Sequence, residues 1–236
     1  MNSTPTVLVC AMKEELRALQ NAFGPLHPGV VLKRAGIGPQ SAARCAQEIK
    51  AELGVPRMLI STGFCGALVP GLKPGALVIS HETADAQSGT IYTSRQAQEF
   101  ADHCVEKLKL AGLAITRGRT VCTQDPVLTP LDKRKLSQLC CAAAVDMESA
   151  ALFAPFDPEK TICLVVRAVS DSSDDELPPE VADFLNRSGN PRLAKITAFV
   201  LKRPIKNTRR LAHLKRNADT AAASLTAAWR VLKTIL

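Results

Sequence analysis

Short apolar runs alternating with amphipathic stretches predict an α/β fold, a sheet covered on both faces by helices. Three observations carry this. Several runs, such as TVLVC at Thr6–Cys10 and the stretch from Thr161 to Val169, are continuously apolar, as strands buried on both sides are. Helical patterns separate them. The chain has 236 residues and 46% hydrophobic content, which suits one domain spanning 1–236 with a full-sized core.

In order, Thr6–Cys10 reads as a buried strand and Met12 to Asn21 as a helix. Val30 to Arg34 is a second strand. It runs into Ala35-Gly36-Ile37-Gly38-Pro39, and a helix continues to about Leu53, with Pro39 suited to a first helical turn. Arg57 to Thr62 is a third strand ending at Gly63-Phe64-Cys65-Gly66, and Ala76 to Glu82 a fourth. Leu113 to Cys122 has the β-branched content of an extended segment. Ala142 to Asp146 and Thr161 to Val169 are the last strands, with a helix from about Met147 to Ala154 between them. Asn190-Pro191 starts a short helix stopped by Pro204. A long final helix begins near Asn207. Leu211, Leu214, Ala218, Ala221, Leu225, Ala228, Leu232 and Ile235 form one stripe along it, which predicts a helix packed on the domain.

The charge is uneven. The formal net charge is +8, but residues 187–216 hold ten Lys or Arg and no acid, leaving 20 basic and 22 acidic residues elsewhere. A near-neutral domain therefore carries one basic helical segment within 187–236. That segment is either a solvated surface or a docking face for an anionic membrane, with Leu193, Ile196, Phe199 and Val200 as its apolar side. Nucleic acid is disfavoured, since only Phe199 interleaves with the charges. No apolar run approaches bilayer length and the first residues do not resemble a signal peptide, so the expected location is cytoplasmic, or peripheral to the inner membrane face. The eight cysteines show no C-x-x-C spacing and mostly sit in apolar runs. They are expected to be reduced, and no metal or cofactor site is expected.

Ligands of open α/β sheets gather at the carboxyl ends of the strands. Asp171, preceded by Ser170, closes an apolar strand. It can be a partly desolvated acid or a helix N-cap. Asp146-Met147-Glu148 stands where a strand turns into a helix; Glu148 either stabilises the helix dipole or binds vicinal hydroxyls. Glu15 lies one turn into the first helix, where a surface carboxylate is the default. Gly36-x-Gly38 lacks the third glycine of the dinucleotide fingerprint, which disfavours a nicotinamide enzyme.

Taken in order, Ala11-Met-Lys-Glu-Glu15, Ala35-Gly-Ile-Gly38, Ser61-Thr-Gly-Phe-Cys-Gly66, Val145-Asp-Met-Glu-Ser149 and Val166-Arg-Ala-Val-Ser-Asp171 resemble the nucleoside phosphorylase and methylthioadenosine/S-adenosylhomocysteine nucleosidase superfamily. The resemblance spans about residues 6–175 and implies a three-layer α/β/α sandwich with a central mixed sheet, and a homodimer. It implies that Asp171 protonates the departing purine, positioned by Ser170. Glu148 would hold the ribose hydroxyls with Met147 against the sugar, and Glu15 would orient a water. Phe64, Cys65, Gly66, Val127 and Leu128 would line the substrate pocket. The expected activity is hydrolytic release of base from an adenosine-type nucleoside. Phosphorolysis is the alternative, weakened because the arginines of related phosphorylases are absent around Ala11-Met-Lys13 and Ser61-Thr62. Phe64 replaces the usual small serine, which puts methylthioadenosine itself in question. More loosely, Glu176-Leu-Pro-Pro-Glu180, Gly189-Asn-Pro-Arg192 and Leu201-Lys-Arg-Pro204 resemble a hopanoid-associated branch, which implies a lipid-linked adenosine as a further alternative. A nucleoside-binding protein without turnover is the non-enzymatic alternative.

Overall fold

The computed structural model describes residues 4–24, 28–184, 186 and 192–236. It holds a ten-stranded mixed sheet: β1 Thr6–Cys10, β2 Val30–Arg34, β3 Met58–Ala67, β4 Leu77–Ser80, β5 Thr83–Asp85, β6 Ile91–Tyr92, β7 Ile115–Arg117, β8 Thr120–Cys122, β9 Ala144–Asp146 and β10 Ile162–Asp171. The helices are α1 Lys13–Phe23, α2 Pro39–Leu53, α3 Arg95–Leu110, α4 Pro130–Cys140, α5 Ser149–Phe153, α6 Val181–Phe184, α7 Leu193–Lys202 and α8 Pro204–Leu232.

The layers follow from the pleat, since successive side chains of a strand face opposite ways. Leu8, Met58, Ile60, Leu164 and Val166 face one side, where α1, α3 and α8 bring Leu19, Leu108 and Trp229. Val7, Val9, Leu59 and Val165 face the other, against Ala42, Ile49 and Phe153 of α2 and α5. Each large apolar side chain so buried contributes roughly 1.5–3 kcal/mol. The predicted three-layer architecture is the one observed.

β3 joins the two halves of the sheet. Residues 58–61 pair in parallel with β1, while Gly66 and Ala67 pair antiparallel with Val145 and Ala144 of β9. On its other side β3 runs parallel to β10 throughout, with a register irregularity between Val169 and Asp171. From Thr62 to Cys65 the edge of β3 that faces away from β10 has left β1 and not yet met β9. The candidate site occupies this gap.

Several expectations are corrected. The segment Gly63–Gly66 is not a loop after the strand; it continues β3, because β10 supplies hydrogen-bond partners along its whole length. Leu113–Cys122 is two strands broken at Gly118-Arg119, β7 pairing with β4 and β8 lying between β5 and β9. The fourth strand stops at Ser80, whose hydroxyl bonds the Glu82 carbonyl and N–H and turns the chain into β5. Helix α3 was missed because its buried stripe is Ala97, Ala101, Cys104 and Leu108, mostly small residues. Helix α4 was missed because its single fully buried residue is a lysine. The final helix begins at Pro204 rather than Asn207. Its stripe is buried from Ala221 to Leu232 but only half-buried at Leu211, Leu214 and Ala218. The proposed start of the preceding helix at Asn190-Pro191, together with Arg187 and Gly189, lies outside the described residues. Among those described, no helix is long and apolar enough to cross a membrane.

Candidate active site

Glu15 is the third residue of α1, and its carboxylate turns back into the gap beside β3. Oε2 accepts the N–H groups of Ala11 and Met12, both at 2.8 Å, and Oε1 accepts the Phe64 N–H at 2.7 Å. The Phe64 amide lies where β3 has no strand neighbour on that side, so the carboxylate takes the place of a missing ladder carbonyl. Glu15 is only 1% exposed, which overturns its default placement at the surface. Burial raises its pKa, opposed by the Arg167 guanidinium and the three amides.

Asp146 ends β9. Its Oδ1 accepts the N–H groups of Glu148 and Ser149 at 3.0 and 2.9 Å, and Oδ2 accepts the Ser149 hydroxyl at 2.6 Å. Asp146 therefore caps α5, the service that charge pattern alone would assign to Glu148. Glu148 is free to reach across: Oε1 accepts the Gly38 N–H at 2.9 Å, and Oε2 lies 3.6 Å from Arg167 Nη2. Its side chain is 12% exposed. Burial pushes its carboxyl up to about 7, against the lowering effect of Arg167 and with a raising contribution from Asp146.

Arg167, fully buried on β10, organises these acids. Nη2 donates to Ser61 Oγ at 2.8 Å and Ser149 Oγ at 3.1 Å and lies 3.4 Å from Asp146 Oδ2; Nη1 donates to the Phe64 carbonyl at 3.3 Å. Burial alone would lower its pKa, but Asp146, Glu148 and Glu15 together raise it, so it stays a cation. Among the described residues its Nε has no hydrogen-bond partner.

Asp171 is the last residue of β10 and starts no helix, so the N-cap alternative falls away. Ser170 Oγ donates to Oδ1 at 2.8 Å, and Lys133 Nζ of α4 donates to Oδ2 at 2.6 Å. Gly66 makes room for it: a Cβ there would stand 2.9 Å from Asp171 Oδ2. Gly63, at φ +150°, does the same for Glu15, since a Cβ would overlap Oε1 and come within 2.9 Å of Arg167 Nη1.

Glu15, Phe64, Cys65, Gly66, Val127, Met147, Glu148, Ser170 and Asp171 all border one cavity of about 200 Å³. Every site residue expected from the sequence is there except Leu128, whose side chain is not part of the lining and whose carbonyl accepts the Leu177 N–H. Through Ile37, Pro126, Met147, Ser170, Asp171 and Leu177 this cavity adjoins an outer chamber of about 600 Å³, bordered also by Pro39, Val181 and Leu214. Cys65 is a buried thiol whose pKa burial raises, not a ready nucleophile. Among the described residues no group of His, Cys, Asp or Glu is placed to hold a metal ion.

Sequence reasoning missed the supporting residues. Arg167, Ser61 and Ser149 lie inside the quoted motifs, but their convergence depends on β3, β10 and α5 meeting. Lys133 lies outside every motif, in a helix that was not expected.

The family model described as the phosphorylase superfamily matches residues 5–201. A curated relative, the 5'-methylthioadenosine/S-adenosylhomocysteine nucleosidase of Haemophilus influenzae (strain PittEE), is 30% identical over 173 residues, covering 66% of this chain and 74% of its own. Among solved structures, the nucleosidase of the same name from Neisseria meningitidis, in complex with methylthio-immucillin-A, aligns at a TM-score of 0.70 with 22% identity over 98% of this chain and 99% of that one. The futalosine hydrolase of Helicobacter pylori aligns at 0.67 with 18% identity over 95% and 97%. The sequence match across most of the chain and the shared fold agree with the geometry of buried acids around one cavity: this chain belongs to the phosphorylase superfamily, on its nucleosidase side.

Proposed function

We propose that the enzyme hydrolyses the N-glycosidic bond of an adenosine-type purine nucleoside. The observation that carries this is the placement of Asp171 and Glu148 on one small cavity. Asp171 is held by an ammonium and a hydroxyl, Glu148 by an amide and a guanidinium. Purine is a poor leaving group until protonated, and the sugar gains oxocarbenium character as it departs. The chemistry needs an acid at the base and a carboxylate at the ribose. Asp171 takes the first role, with Ser170 orienting it. Glu148 accepts the ribose hydroxyls, and Met147 packs against the sugar.

Water is the nucleophile this site favours. Arg167 is already enclosed by Asp146, Glu148 and Glu15, and among the described residues that border the cavity there is no Lys or Arg to receive an entering phosphate dianion. Glu15, with its amide bonds fixing both oxygens, orients the water. The test is base release with and without phosphate from adenosine, inosine, methylthioadenosine, adenosylhomocysteine and a lipid-linked adenosine. Strict phosphate dependence with a ribose-1-phosphate product would reverse the choice of nucleophile. Tight binding of every nucleoside without release would make the protein a binder.

A second reading concerns the far end of the substrate. The outer chamber is bordered by Ile37, Pro39, Pro126, Leu177, Val181 and Leu214, which suits a bulky apolar 5' substituent. Of the apolar side expected on the basic segment, only Leu193 is largely exposed; Ile196 and Val200 are half-buried and Phe199 is buried against Phe184, while Leu201 and Ile205 are exposed beside Lys202, Arg203 and Lys206, an arrangement that suits a surface resting on anionic lipid. A lipid-linked nucleoside presented from a membrane would use both features. Co-sedimentation with phosphatidylserine vesicles that disappears at high salt supports this reading; equal binding to neutral vesicles, or none, removes it.

A further inference from the structure

The geometry points to Lys133 as a positioning residue that stabilises the charge left on Asp171 when the base departs, an inference that rests on the proton-donor role proposed above. Lys133 is 0% exposed, and its Nζ meets three acceptors: Asp171 Oδ2 at 2.6 Å, the Ser172 carbonyl at 2.7 Å and the Asp175 carbonyl at 3.2 Å. Three acceptors use all three donors of an ammonium. A lysine is rarely buried so completely without a specific partner. Here the partner is the side chain that faces the base, and the two carbonyls fix the ammonium rather than compete for its charge.

The cations divide the acids between them. Arg167 serves Asp146, Glu148 and Glu15, whereas Lys133 forms its ion pair with Asp171. This matters for the chemical step. As the C1'–N9 bond breaks, its electron pair moves onto the purine. Asp171 rests as the carboxylate paired with Lys133 and takes up a proton from solvent before the step; N7 takes that proton, and the carboxylate is restored. The negative charge that develops on the protein therefore appears 2.6 Å from a preformed ammonium. From the protonated acid, a cation already in place where charge forms lowers the barrier to bond breaking without reorganisation, and it makes the loaded Asp171 a stronger acid toward N7. The proton released by the attacking water balances the overall hydrolysis. Lys133 also ties the acid to the base side of the pocket, since α4 follows directly on Val127-Leu128 and is capped by Thr129, whose Oγ accepts the Asp132 N–H.

The test is a double-mutant cycle with K133M, D171N and K133M/D171N, using the nucleoside of the panel from which the wild-type enzyme releases base fastest. K133M is expected to lower kcat by about 10²-fold with KM within about 3-fold of wild type. In the D171N background no carboxylate forms, so adding K133M should change the residual rate by less than about 3-fold. K133M with kcat near wild type, or losses that multiply in the double variant, would overturn the role of Lys133. If K133M alone does not fold, because Asp171 is left as a buried unpaired charge, the neutral pair in K133M/D171N still permits the comparison with D171N: equal residual rates support the proposal, and a further drop overturns it. D171N itself separates the two levels. Near-full activity in D171N would remove the acid assignment, whereas a collapsed D171N with an unaffected K133M would remove only Lys133.

Discussion

Glu148 Oε1 accepts the Gly38 N–H at 2.9 Å, so this carboxylate is held by the N-cap of a helix 110 residues away in sequence. Asp146 makes this possible by capping α5 in its place. Because burial pushes Glu148 up to about 7, its charge changes within the working range of most enzymes. In the proposed role it is the ionised form that accepts the ribose hydroxyls. KM for the nucleoside is therefore expected to fall as pH rises through about 7, while E148Q shows a high KM with no such trend. Steady-state kinetics across this range checks it.

The same shift has a consequence for stability, with a definite sign. The folded carboxyl binds its proton more tightly than the ordinary value of 4.5, so the stabilisation is present in acid and is lost as pH rises from about 4.5 to about 7. The loss amounts to at most about 3 kcal/mol. Glu15, also raised by burial, adds in the same direction. The ligand-free enzyme should show a decreasing Tm over this window, and E148Q should flatten the slope.

Asp171→Asn removes the proton for the base while keeping a similar shape. Base release is expected to fall by about 10²–10⁴-fold. Circular dichroism should show the fold intact, since the Asn carbonyl oxygen can still accept from Lys133 while its NH2 group donates to the Ser170 hydroxyl, whose own hydrogen turns to the Cys65 carbonyl. Near-full turnover would exclude Asp171 as the acid.

Gly63→Ala places a Cβ on Glu15 and against Arg167, at a φ of +150° that L-residues rarely adopt. The neighbour cannot yield, because three amides hold the Glu15 carboxylate. Both stability and base release should drop, and a crystal structure of any folded variant should show Glu15 displaced. Gly38→Ala meets no atom within 4 Å, so its cost comes only from the positive φ and should be smaller.

Leu225→Ala tests whether α8 belongs to the domain. Leu225 is wholly buried against the core that includes Leu19, Ile60 and Trp229, and Trp229 Nε1 donates to Thr62 Oγ1 at 2.9 Å. The substitution should cost about 2–5 kcal/mol with kcat little changed in the folded protein. Chemical denaturation measures it; an unaltered midpoint would mean that this helix is an appendage.

Periodicity and apolar runs by themselves determined the layered α/β class, most strand positions and the stripe of α8, because burial of strands and helix faces is written locally in side-chain order. The quoted motifs likewise marked Asp171, Glu148 and Glu15 as the acids to examine. Tertiary structure decided what each acid does. Whether Glu15 is solvated or bonded to β3 depends on β3 leaving β1 before it reaches β9, a matter of sheet topology. Whether Glu148 or Asp146 caps α5 depends on Gly38 and Arg167 arriving from distant segments. Lys133 was invisible in the sequence for the same reason. A lysine is normally a surface residue, and only the meeting of α4 with the end of β10 turns it into the buried partner of Asp171, since charge compensation is a property of distance in space rather than along the chain.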